Sequence, residues 1–386
     1  MCDVPALRFP EFTGEWERHK LSEVCSFYSG GTPSSSKKEY YNGNIPFIRS
    51  GELHKDYTEL FITEAGLSNS AAKLVETGDL LLALYGATSG DIAISKIKGA
   101  INQAILCIRT KQNKKFIESV WNKHVERLLQ TYLQGGQGNL SADIVKNIPF
   151  YFANSNEQDK LAKFISLLDE RIATQNKIIE DLRLLRDAIM VEHYRKCNKS
   201  ELYIYDIGEP FNVMNLSKDD LTKDGSPCII YGELFTTYGC VIENVVSHTT
   251  KSPNSTLSTK GDLLFPASTT VDALSLIAPS SINEDGIILG GDMFGIHVNE
   301  QYNSNYLSYY FNIIGKKNLA KFAKGSTIIH LHYADIQKAK ITLPNKNEQE
   351  TVANLLLKVE HKLNIEQKML INYLNTKNFL LRQMFI

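Results

Sequence analysis

His330 and His332, one residue apart, would project to one face of a strand and could offer two bonds to a metal ion. No cysteine lies near them and no second histidine pair completes a ligand set, so no metal is expected. Glu366-Gln367-Lys368 could mimic the Glu-x-Lys end of a nuclease site, but it sits in a long helical pattern without a strand-borne Asp upstream. Asn147-Ile148-Pro149-Phe150 approaches the Asn-Pro-Pro-Phe/Tyr loop that grips an amino nitrogen during methyl transfer. It has Ile where the first Pro belongs, and no Gly-rich cofactor loop precedes it. The sequence has no Gly-x-x-x-x-Gly-Lys-Ser/Thr cradle for ATP, and Gly135-Gly136-Gln137-Gly138 lacks dinucleotide spacing. Asp79 and Asp262, each in a Gly-Asp-Leu-Leu, are expected as turn residues entering a strand. The chain reads as non-catalytic, with no cofactor of its own.

The remaining chemistry is a set of Gly-rich, polar loops suited to holding a polyanion without cutting it. Gly31, Thr32, Ser34, Lys37 and Lys38 offer amides, hydroxyls and ammonium groups. Tyr85, Thr88 and Ser89 follow a strand-like run, and Ser268, Thr269 and Thr270 hold the matching place later in the chain. Gln137 and Asn139 follow one helical segment; Lys324, Ser326 and Thr327 follow another. Such groups bond phosphates, while Arg49, Asn102 and Gln103, with Tyr231 at the place of Arg49, can contact base edges. Each loop alone is an ordinary surface turn; their recurrence at matching places carries the DNA-binding reading. A net charge of -1 supplies no global pull toward a polyanion, so binding must come from local patches or partner subunits.

These loops need a scaffold, and the chain writes one twice. PFIRSGEL at 46–53 returns as PCIIYGEL at 227–234, and Gly78-Asp79-Leu80-Leu81 returns as Gly261-Asp262-Leu263-Leu264. Ala142-Asp143-Ile144 returns as Ala334-Asp335-Ile336, and Asn156-Glu157-Gln158 as Asn347-Glu348-Gln349. Offsets of 181, 183, 192 and 191 mark a duplicated domain, not a short solenoid repeat.

After each Asn-Glu-Gln, apolar residues step by four and three: Leu161, Ile165, Leu168, Ile172, then Gln175, Ile179 and Leu182. Their counterparts 191 residues on are Val352, Leu356, Val359, Leu363, then Glu366, Leu370 and Tyr373, and Arg186 likewise matches Lys377. Steps averaging 3.5 form a coiled-coil seam, so each half is expected to end in a helix of about 35 to 40 residues. Asn156 and Asn347 are the expected N-caps, with Asp159 and Glu350 at the third helical position. If the seams pair antiparallel about a pseudo-twofold axis, Gln175 lies near Glu366 in one buried polar layer that fixes register. The competing reading lays each helix on its own domain.

Upstream, PFIRSGEL, DLLLALYG, DIAIS and AILCIRT read as strands and Lys114 to Gln134 as a helix. In the second half CIIYGEL, DLLFPA, SLIA and MFGIHV read as strands and Asn305 to Ala323 as a helix. The expected fold class is α+β: similar globular domains at 1–152 and 198–345, each followed by a long helix, 153–197 and 346–386, the helices forming an antiparallel coiled coil.

At 386 residues and 43% hydrophobic, the chain is long enough for two or three domains with real cores. Six scattered cysteines without a C-x-x-C pair suggest reduced thiols. The opening MCDVPALRFPEF lacks the layout of a secretion signal and no run of about 18 apolar residues occurs. A soluble, cytoplasmic protein with no membrane partner is expected.

Together these residues resemble the specificity subunit of type I restriction-modification systems. Leu7-Arg8-Phe9-Pro10-Glu11-Phe12 with Gly14 and Trp16 resembles that family's N-terminal lead, and Gly30-Gly31-Thr32-Pro33 its early glycine loop. Gly-Asp-Leu-Leu, and Ile148-Pro149 leading through Glu157-Gln158 into a long helix, resemble its repeated junctions. The second copy departs: Tyr231 replaces Arg49, Ile341-Thr342-Leu343-Pro344 replaces the Ile-Pro pattern, and no copy of the Trp16 lead precedes Leu202. The resemblance implies two target-recognition domains, each reading half of a split double-stranded DNA site. It implies docking of two modification subunits, which carry S-adenosylmethionine, and of restriction subunits carrying the ATP- and Mg-dependent motor and nuclease. A two-domain scaffold that binds proteins but not DNA is the competing function.

Overall fold

The structure, a computed structural model, describes residues 4–133, 140–213, 216–250 and 255–386. The chain divides into two compact units, Met1–Asn176 with Lys368–Ile386, and Lys177–Gln367. Each contains one α+β domain and a stretch of both long helices.

In the first unit, strands Cys25–Ser29, Ile105–Thr110, Leu80–Ala83 and Ile92–Ile94 lie in that order in an antiparallel sheet. A second sheet orders Phe61–Ile62, Tyr41–Ile48, Gly99–Ile101 and Lys73–Val75, with Tyr41–Ile48 and Gly99–Ile101 parallel. Leu80, Leu82 and Ile108 cover one core together with Phe116, Val120 and Trp121 of helix Lys114–Leu133. All four residues of Leu80–Ala83 are buried, as an unbroken apolar run on a sheet covered on both faces requires.

The second unit repeats the plan. Gly208–Asn212, Met293–Val298, Asp262–Pro266, Ser280–Ile282 and Val241–Ile242 form one sheet. The other contains Ser226–Ile230 parallel to Ile288–Gly290, the counterpart of the parallel pair in the first unit. Three expectations need correction here. SLIA is not a strand: the Asp272 carboxylate accepts from the Ser275 N–H at 2.7 Å and caps helix Ala273–Leu276. Asn305 to Ala323 is two helices, Ser304–Ile313 and Lys316–Ala320, because the N–H groups of both Ile314 and Gly315 donate to Tyr310 O and close the first.

The third correction concerns the N-caps of the long helices, Ser155–Lys196 and Lys346–Met384. Asn154 and Asn345, not Asn156 and Asn347, are the caps: each accepts from the N–H three residues on, Glu157 or Glu348, at 3.0 Å. In the first unit, Leu161 and Ile165 share a cluster with Leu381, Met384 and Phe385, and Asp169 pairs with Lys377 at 2.5 Å. In the second, Arg186 pairs with Glu360 at 3.3 Å, and Met190 shares a cluster with Val352, Ala353 and Leu356. Within each unit numbers rise on one helix as they fall on the other, which is antiparallel pairing. Asp169 and Glu360 hold one place in the two copies, as do Arg186 and Lys377, so each unit pairs an acid from one copy with a base from the other.

The seam residues face inward. Leu161, Ile165, Gln175, Ile179, Val352, Leu356, Leu363 and Glu366 are buried, and Leu168, Ile172, Leu182, Val359, Leu370 and Tyr373 half-buried. No helix of the described residues is long and apolar enough to cross a membrane.

The repeated motifs have structural work. Gly78 and Gly261 adopt φ of +89° and +93°, the left-handed turn that glycine favours, and Asp79 and Asp262 each accept the N–H three residues back. Glu52 and Glu233 of Gly-Glu-Leu fold back to accept the N–H of Arg49 and Ile230, at 3.1 and 2.9 Å. Gln158 and Gln349 tie each long helix to its domain: they accept from Asn113 N–H and Asn303 N–H, the caps of the domain helices.

Candidate nucleic-acid interface

In each unit the strands deliver their loops to one end. In the first, Gly30 N–H donates to Asn102 O at 3.2 Å, Thr32 donates to the Gln103 side chain at 2.7 Å, and Leu84 N–H donates to Ala104 O at 2.8 Å. The loops after Ser29, Ala83 and Ile101 are thereby gathered, which unites Gly31, Thr32, Asn102 and Gln103 with the approach to Tyr85, Thr88 and Ser89. Backbone crowding explains the paired glycines: a Cβ on Gly30 would lie 1.7 Å from Ile101 O, and one on Gly31 2.6 Å from Ala71. Ser34, Lys37 and Lys38 continue the first loop, all exposed; Ser34 shares a hydrogen bond with Ser36, and Lys37 donates to the Tyr40 hydroxyl at 3.0 Å.

Arg49 lies after Ile48 but is spoken for: its Nη2 donates to Glu52 at 2.7 Å and to Glu59 at 2.8 Å. Burial alone would raise the Glu52 carboxyl, yet bonds from Arg49, Thr58 and the backbone hold it at about 2. Arg49 in turn rises further above its usual value, chiefly through its bonds to Glu52 and Glu59. Ser89 bonds Leu84 O at 3.0 Å and so shapes its own loop. Gln137 and Asn139 lie outside the described residues.

The corresponding end of the second unit opens as a cleft of about 1010 Å³. Its lining comes from the same places: Asn212 at the end of strand Gly208–Asn212, Tyr231 after Ile230, Ala267 after Pro266, Gly291 and Asp292 after Gly290, together with Lys218 and His332. Ala267 N–H donates to Asp292 O at 2.8 Å, as Leu84 does to Ala104, and Leu331 N–H donates to Ala267 O at 2.9 Å, as Leu140 does to Leu84. Tyr231 packs on Gly291, where a Cβ would meet its ring at 2.7 Å. Ser268 and Thr269 pair with His330 and Ile329, while Thr270, Ser326 and Thr327 are exposed beyond them; Lys324 reaches Asp335 at 2.5 Å.

Sequence reading missed Asn212, Lys218, Asp292 and His332 as lining; for Asn212 and Asp292 the signal that could have found them is their position at or just past the ends of strands that match those of the first copy. His330 and His332 stack with ring centroids 6.1 Å apart. Among the described residues no group of three or more His, Cys, Asp or Glu side chains is placed to hold a metal ion. Each end therefore offers amides, hydroxyls, carboxamides and ammonium groups that can form hydrogen bonds to phosphates and base edges.

The family model of the type I restriction modification DNA specificity domain matches residues 13–184 and again 204–375. The MjaVIII type I restriction enzyme specificity subunit of Methanocaldococcus jannaschii is 22% identical over 95% of this chain and 90% of its own length. The EcoR124I/EcoR124II specificity subunit of Escherichia coli is 27% identical over 46% of this chain and 45% of its own. In fold, the chain resembles the crystal structure of a type I restriction-modification S subunit from M. genitalium, with TM-score 0.63, 15% identity and 99% of both chains covered. Since two copies of that domain account for nearly all of its length, the chain belongs to the type I restriction-modification DNA specificity family, as a specificity subunit and not a catalytic one.

Proposed function

We propose that each unit reads one half of a bipartite double-stranded DNA site, the first through the loops around Gly31, Thr32 and Gln103, the second through the cleft around Tyr231 and Asp292. One observation carries this reading: two units present equivalent loops on equivalent strands, but with different side chains. A shared frame with divergent contacts is what two readers of different sequences need. The long helices set the spacing of the two halves and dock two modification subunits. Exposed apolar residues support docking, Leu167 and Phe379 in the first unit and Leu185, Val191 and Leu355 in the second. The modification subunits supply S-adenosylmethionine, and restriction subunits supply the ATP- and Mg-dependent steps, within the cytoplasm. Mapping methylated adenines in cells that carry the chain with its modification subunits tests this. A two-part motif with a fixed gap is expected; a continuous motif, or methylation without sequence preference, would overturn it.

A further inference from the structure

The second unit carries an apolar finger beside its cleft. Ser268 and Thr269 pair with His330 and Ile329 as a two-stranded ribbon, Ile328 directly precedes the ribbon's second strand, and beyond its first strand the chain bends at Thr270 and Val271, where Val271 N–H donates to Thr269 Oγ1 at 3.3 Å. Val271 is 71% exposed and Ile328 50%. The ribbon is rooted in the candidate interface, since Leu331 N–H donates to Ala267 O and Ala267 N–H to Asp292 O. Lysines flank it: helix Lys316–Ala320 packs on helix Ala273–Leu276, which follows Val271, and Lys317 and Lys321 are exposed there. Lys324, on the ribbon itself, is bonded to Asp335.

Branched aliphatic tips set among lysines match duplex DNA better than water. Phosphates attract the ammonium groups, and the C5-methyl of thymine is the one apolar group on a base edge in the major groove. We propose that Val271 and Ile328 contact thymine methyl groups in the half-site bound by the second unit, with Lys317 and Lys321 on neighbouring phosphates. This rests on the reading of that unit as a DNA reader and adds the chemistry of what it reads. In sequence, the matching loop of the first half, Tyr85 to Gly90, contains no Val, Ile or Leu. The first half-site is therefore an internal control.

The full chain, assembled with its modification subunits, is used to select duplexes from a random library, which fixes both half-sites. Each thymidine is then replaced singly by deoxyuridine, which removes only the methyl group. Binding should weaken about fourfold at one or two positions of the second half-site, equivalent to about 0.8 kcal/mol per methyl buried, and at none of the first. The variant V271S with I328S should bind thymine and uracil duplexes alike and keep its preference at the first half-site. Uracil tolerated throughout, or a second half-site without an A·T pair, would overturn the finger while leaving the two-reader account standing. A variant that discriminates uracil as well as the parent does would also overturn it, as would one whose only defect is assembly with the modification subunits. Loss of all sequence preference by the parent would instead sink the reading on which the finger rests.

Discussion

Arg8 is where the N-terminal lead grips the first long helix, and removing it should be costly. Its Nε and Nη2 each donate to Glu157 at 2.7 Å, and the Glu157 side chain is only 1% exposed against 13% for Arg8. Phe9 meets Phe164 edge-on at 5.8 Å, Lys160 lies 4.5 Å over the Phe9 ring, and Leu7 N–H donates to Gln383 O. Arg8→Met keeps the packing stem but strands a buried carboxylate. Breaking one side of a buried ion pair costs about 3 to 5 kcal/mol, and the partial exposure of Arg8 places this case at the lower end. At about 2 to 4 °C per kcal/mol for a unit of this size, the melting temperature should fall by roughly 6 to 12 °C. Adding Glu157→Met removes the stranded charge and should restore most of the loss. The counterpart Glu348 pairs with no arginine among the described residues; its carboxylate accepts from Asn345 Nδ2 at 2.9 Å, so Glu348→Ala should cost at most about 1 kcal/mol. Circular dichroism melts and urea titrations compare all three variants with the parent. A shift under about 2 °C for R8M, or a double variant weaker than the single one, would refute the argument.

Gln349→Ala should cost about 2 kcal/mol in urea titration, because the buried carboxamide bridges Asn303 N–H and Pro344 O, and Gln158→Ala should match it. Arg186→Glu should destabilise the second unit, and adding Glu360→Arg should recover about 1 kcal/mol in a double-mutant cycle; no recovery would deny the helix pairing its ionic register. Glu52, with its carboxyl at about 2 in place of 4.5, stabilises the fold fully above pH 4.5. That contribution, about 3 kcal/mol, is lost as pH falls through the folded value, so E52Q should flatten the acid limb of stability between pH 4.5 and 2.

The long helices and the duplication were legible because a 3.5 period and a 191-residue offset survive without knowing any contact. The caps were misplaced by two residues because Asn154 and Asn156, and likewise Asn345 and Asn347, are both good capping types, and only φ/ψ and bond geometry choose between them. SLIA misled because a short apolar run suits strand or helix equally, and Asp272 decided the matter locally. The repeated Glu and Gln stood out in the sequence, but their roles did not, since their partners lie elsewhere in the chain: Glu52 with Thr58, Gln158 with Asn113. The candidate interface was half visible. Its loops could be named one by one, whereas the gathering of Gly30 with Asn102, and of Leu84 with Ala104, is made by strands far apart in the chain. Arg49 shows the reverse limit: a side chain suited to reading guanine is held by Glu52 and Glu59.

The most direct test exchanges residues 1–150 for the first domain of another family member and maps methylated sites before and after. The account predicts that one half of the motif changes while the other half and the gap stay as they were. A change in both halves, or a gap that moves with the exchanged domain, would contradict it.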